Sequence, residues 1–170
     1  MRLSGRKIYR SFRSSIIFLA ESSILSEWMR RPFATGVSRY SDRGDESFDP
    51  DPRIYLEVQA GIPEGTILAM VDTAAPWCIF ESRISELIRE SCDRVSEDIL
   101  LSTRLGTFRG KLYRGPLFVP ALDGEPLNVE MTAFVSPDWP GPNFIGYQGL
   151  LQRIRFAVDP ETNLFYFGSI

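Results

Sequence analysis

A mostly β domain with one or two short helices is the fold class that residues 53–170 of this 170-residue chain predict. Three observations carry it. Arg53-Ile54-Tyr55-Leu56-Glu57-Val58-Gln59 and the stretch from Asn128 to Val135 alternate with period two, as strands with one buried face do. Thr66 to Val71 is a continuous apolar strand running into Asp72. Turn formers recur at short intervals, at Gly61 to Gly65, at Gly106, Gly110 and Gly115, and at Asp159-Pro160-Glu161-Thr162.

The elements follow in order. Residues 1–52 are expected to be a basic, loosely ordered tail and a polar linker, and residues 53–170 the domain. Arg2, Arg6, Lys7, Arg10 and Arg13 come with no acid among them, and the apolar patch Ile16 to Ala20 is far too short to span a bilayer. It also lacks the length and cleavage site of a signal peptide. The Arg- and Ser-rich start is similar to an organelle transit peptide; a surface helix, a loose tail or an early start codon accounts for it more simply. Ala34 to Pro52 is polar and turn-prone and ends in Asp-Pro-Asp-Pro, which places the linker there.

Beyond the first two strands, Ser82 offers a helix cap with Glu86 four residues on, and Ile84, Leu87 and Ile88 share one face. Ile99 to Ala121 returns to extended chain, broken at its three glycines. Val129, Met131, Ala133 and Val135 then line one face of a strand. The loop Ser136-Pro137-Asp138-Trp139-Pro140-Gly141-Pro142 leads to Phe144-Ile145-Gly146, a short helix near Tyr147 to Arg153, and a final hairpin of Arg155 to Val158 and Leu164 to Phe167.

Composition narrows the chemistry. A net charge of −3 favours neither nucleic acid nor an anionic membrane as partner. Histidine is absent, which removes Ser-His-Asp and Cys-His catalysis and His-ligated metal sites together. Cys78 and Cys92 lack CxxC spacing, so zinc and dithiol chemistry are not expected, and Cys78 inside Trp77-Cys78-Ile79-Phe80 reads as an inert core thiol. No phosphate-binding glycine loop of either standard pattern occurs. No cofactor and no metal are expected, and carboxylates or hydroxyls are left to do any chemistry. Without an export signal or a disulfide framework, cytoplasmic location is the default.

Two elements stand out for function: Ala69-Met70-Val71-Asp72-Thr73-Ala74-Ala75, a carboxylate where an apolar strand ends in small residues, and Phe144-Ile145-Gly146 about seventy residues later. Their order and spacing, with the glycine-bearing segment Leu105-Gly106-Thr107-Phe108 between them, resemble the retropepsin-like aspartic proteases over about Ile54 to Phe167. The resemblance implies an acid-protease β-barrel acting as a homodimer on peptide or protein substrates, with one Asp72 from each copy forming the catalytic dyad. It implies that Thr73 bonds across the two-fold axis, that Ala74 and Ala75 allow close backbone approach, that Phe144, Ile145 and Gly146 pass behind the Asp loop, and that Leu105 to Phe108 form a flap.

Two departures stand beside it. Ala74 occupies a position that is usually glycine in the family, and Pro76-Trp77 follow where a small polar residue is more common. The alternative function is therefore a catalytically weak or inactive dimeric module that keeps the groove and binds peptides or scaffolds an assembly. Taken alone, an Asp at a strand end is a turn former, as Asp138 and Asp159 beside proline are read to be. Gly106 and Gly110 mark either a flap or a bulged hairpin. Trp139 in the proline loop is read as covering the core, with contact to a ligand as the alternative.

Overall fold

Period-two burial fixes which strands can close on one another. The computed structural model of the chain describes residues 33–42, 53–61 and 65–170. In order the strands are β1 (Gly36–Arg39), β2 (Tyr55–Ala60), β3 (Ile67–Asp72) and β4 (Cys78–Ile79), followed by helix α1 (Ser82–Ser91). Then come β5 (Asp93–Arg94), β6 (Ile99–Thr103), β7 (Gly106–Val119), β8 (Asp123–Gly124) and β9 (Leu127–Val135). β10 (Phe144–Gly146), a 3-10 turn (Leu151–Arg153), β11 (Ile154–Asp159) and β12 (Leu164–Ser169) complete the chain.

Six strands form a closed barrel in the order β2-β3-β10-β4-β9-β7, with β7 returning to β2 through Gln59↔Phe118 and Ala60↔Leu117. Closure leaves no free edge within this ring. β5 and β6 add onto β7 outside it, and a separate four-stranded sheet runs β11-β12-β1-β8. Phe80, Leu117, Met131, Ile145, Phe165 and Phe167 are among the fully buried side chains of the main core, so that sheet and barrel share one interior. The expected mostly β class and barrel are what the chain forms.

The linker expected over residues 34–52 is corrected by β1. Gly36 to Arg39 pair antiparallel with Phe167 to Leu164, and the compact unit runs from Ala34 to Ile170. Gly36 and Ser38 face inward while the apolar mass comes from Phe165 and Phe167 of the partner strand, so the segment shows no hydrophobic alternation of its own. Residues 1–32 and 43–52, the rest of the expected tail and linker, lie outside the described residues.

Two local expectations also change. β7 is one unbroken strand, and its glycines are sites of close approach: a Cβ at Gly110 would collide with the Val135 carbonyl, and one at Gly115 with Cys92 Sγ. The helix begins with Glu81, not Ser82, as its N-cap, and Ile84 and Ile88 form the buried face. The second expected helix is reduced to the 3-10 turn.

Candidate active site

Asp72 is the last residue of β3, and what positions it is β10. That short strand pairs parallel to β3 in the register Phe144↔Met70, Ile145↔Val71 and Gly146↔Asp72, and antiparallel to β4 at Phe144↔Ile79. β10 therefore lies between the two strands that flank the loop from Thr73 to Trp77. The loop is tied down from behind at two points. Tyr147 N donates to Ala75 O at 2.7 Å and Gly149 N to Pro76 O at 2.9 Å, while Leu150 N to Gly146 O at 3.0 Å closes the turn that carries those donors.

Gly146 has to be glycine for this packing. A Cβ there would strike the Trp77 carbonyl, and would lie 2.8 Å from the Ala75 carbonyl. Two large apolar residues followed by a glycine thus serve two purposes: Ile145 fills the core completely, and Gly146 lets one backbone pass against another.

Within the loop, Ala74 N donates to Asp72 Oδ1 at 2.8 Å and Ala75 N to Asp72 O at 3.2 Å. One carboxylate oxygen is thereby oriented by the backbone, and the turn holds the carboxylate half-buried, with Thr73 and Ala74 exposed. Among the described residues the Thr73 hydroxyl has no hydrogen-bond partner within the chain. Ala74 adopts no left-handed backbone; the one non-glycine residue among those described that does is Asn163, at φ 56°. Alanine therefore sits at this position without backbone strain.

The Leu105 to Phe108 segment is the tip and descending strand of a hairpin. β6 and β7 pair from Thr103↔Gly106 to Ile99↔Gly110, and Gly106 takes φ 130° where the turn resolves. Thr103 Oγ1 closes the tip, accepting from Leu105 N and donating to Gly106 O, both at 3.1 Å. The hairpin reaches β10, the strand beside β3, through aromatic contacts. Phe108 meets Trp139 edge-to-face at 5.2 Å between centroids, and Trp139 meets Phe144 at 5.9 Å. Trp139 is 4% exposed and lies in a buried cluster with Ile79 and Phe134, so its ring covers the core as expected.

Asn143 was not singled out in the sequence, yet it joins three segments. Its backbone carbonyl accepts from Met70 N at 2.8 Å, its Nδ2 donates to Leu68 O at 3.1 Å, and its Oδ1 accepts from Glu81 N at 2.9 Å. An amide side chain between a proline-rich loop and a strand was the available signal, because it can satisfy one donor and one acceptor at once. Cys78 is fully buried, and burial pushes its thiol up to about 12, so it stays protonated and unreactive near neutrality. Asp159 caps the β11–β12 turn: its carboxylate accepts from the Thr162 hydroxyl at 2.7 Å and from Glu161 N at 3.0 Å, which hold it below the usual carboxylate range. Among the described residues no helix is long and apolar enough to cross a membrane.

No family model matches the sequence, and no curated protein matches it. Among solved structures the chain is similar to a retropepsin-like aspartic protease from Rickettsia conorii, at 17% identity and a TM-score of 0.43, over 76% of this chain and 97% of that one.

Proposed function

We propose that the chain is an aspartic endopeptidase whose catalytic pair is Asp72 from each of two copies. The observation that supports this most is the placement of Asp72: a carboxylate at a strand end, oriented by Ala74 N, on an exposed loop whose back is fixed by Gly146. The bond from Ala74 N is one that a turn-forming Asp also makes; the register of β10 beside it and the glycine behind the loop are what a plain turn does not need. An exposed Thr73 with its hydroxyl unused within the chain suits a contact with the same loop of a second copy, and a two-fold axis there brings like residues together.

The mechanism requires no metal or organic cofactor. Two carboxylates brought face to face cannot both ionise cheaply, so the pair retains one proton. Water between them gives a proton to the ionised carboxylate as its oxygen attacks the peptide carbonyl carbon. The protonated carboxyl simultaneously gives its proton to the carbonyl oxygen, which yields a neutral gem-diol. On collapse the C–N bond breaks, and the nitrogen takes the proton that the first carboxylate had gained. One diol hydroxyl returns its proton to the other carboxylate. The products are a carboxylic acid and an amine, and the pair again holds one proton. The hairpin from Leu105 to Phe108 would lie over the extended peptide as a flap.

The rival reading, an inactive dimeric module that binds peptides, rests on Ala74. The unstrained backbone at that residue takes away the conformational part of its case. Cleavage of a mixed peptide library between pH 4 and 7 tests the two readings. Hydrolysis by the intact protein that is lost in Asp72→Asn supports the peptidase. A folded, dimeric and inert wild-type protein overturns it in favour of the binding module.

A further inference from the structure

The β6–β7 hairpin has an unusual attachment to the barrel. β7 bonds to β6 as far as Gly110 and to β9 from Lys111 onward, so its backbone changes partner between those two residues. Beyond that point the hairpin is a two-stranded arm whose ladder is entirely internal. What holds it down is its half-buried face, Ile99, Leu101 and Phe108, packed on Ile79, Phe134 and Trp139.

Trp139 is the side chain that spans the two sides of this contact. Its ring meets Phe108 of the arm at an interplanar angle of 78° and Phe144 of β10 at 67°, both in the edge-to-face geometry that aromatic quadrupoles favour. Nε1 donates to Pro142 O at 3.1 Å, which fixes the ring within its own loop. The tip of the arm rests on that same loop: a Cβ at Gly141 would lie 3.1 Å from Leu105 Cδ1. Phe144 in turn pairs with Met70, two residues before Asp72.

We propose that Trp139 is a positioning residue that latches the hairpin arm to β10, so that the arm moves as one body about Gly110–Lys111 and its position is referred to the strand beside Asp72. An arm with an intact internal ladder can lift without melting, and of the contacts it must break to do so, the Phe108–Trp139 ring pair is the one that leads on to β10. The catalytic consequence rests on the peptidase reading; the latch itself does not. Trp139→Ala and Phe108→Ala both cut the latch, from opposite sides, whereas Trp139→Phe keeps an aromatic edge for Phe108.

The test is hydrogen exchange on the full chain in these three variants, paired with kinetics on whichever library peptide the wild type cleaves. The expected result is exchange of the 99–110 amides about tenfold faster in both alanine variants, nearer wild type in Trp139→Phe, with residues 111–119 unchanged. KM should rise about tenfold in the alanine variants while kcat changes less, because the arm contributes to substrate binding before it contributes to chemistry. Phe108→Ala keeps the test decisive if Trp139→Ala fails to fold. Wild-type exchange of the arm in Phe108→Ala, or faster exchange spread equally through the barrel, would overturn the latch. If the wild type cleaves nothing, the exchange pattern still decides the latch, and the peptidase reading fails separately.

Discussion

The Asp72 loop and the hairpin arm are held by different forces. The loop is held by backbone: β10 in register with β3 on one side and paired to β4 on the other, two hydrogen bonds from Tyr147 N and Gly149 N, and a glycine position with no space for a methyl. The arm is held by side chains, with Phe108, Leu101 and Ile99 lying on a small aromatic cluster and a leucine at the tip that is 54% exposed. Backbone pairing in fixed register permits one arrangement, whereas apolar contact permits the arm to leave and return. On the proposed reading this difference fixes the position of the carboxylate and leaves the arm over it free to move, as a site that needs both preorganisation and entry requires.

The sharpest break in that comparison is Gly146→Ala. The added methyl meets backbone carbonyls that cannot swing away, so the loop or β10 must move. Loss of about 3 kcal/mol or more is expected, read as a lower denaturation midpoint. A stable Gly146→Ala protein would show that the loop is as adjustable as the arm. The latch variants come next, and they should loosen one hairpin while the barrel stays closed. The smallest effect is expected for Ala74→Gly. Glycine there adds freedom to the unfolded chain without relieving strain, so thermal stability should fall by about 0.5 kcal/mol. A gain in stability instead would mean that the methyl is strained after all, and would revive the non-catalytic reading.

The sequence was legible where one segment carried its own signal. Period-two alternation marked β2 and β9, the apolar run marked β3, and Asp72 with the downstream Phe144-Ile145-Gly146 stood out because both are local patterns. β1 escaped because its inward positions are Gly36 and Ser38, and the apolar surface that buries them belongs to β12. Gly110 and Gly115 suggested breaks because a glycine required by a neighbour's bulk looks the same in sequence as one required by a turn. Asn143 was opaque for a related reason. Its partners are Leu68 in β3 and Glu81 at the N-cap of α1, and a residue that joins distant segments has no periodicity to reveal it.

The central claim is that two copies share one site, and subunit mixing measures it directly. Wild type is mixed with an equal amount of Asp72→Asn, the pair is allowed to exchange, and peptide cleavage is followed per total protein. If each site needs Asp72 from both copies, only pairs of two wild-type chains are active, and the rate should fall to about a quarter of that of wild type alone at the same total concentration. A rate of about half, the value for independent chains, would show that one Asp72 suffices and would contradict the shared dyad.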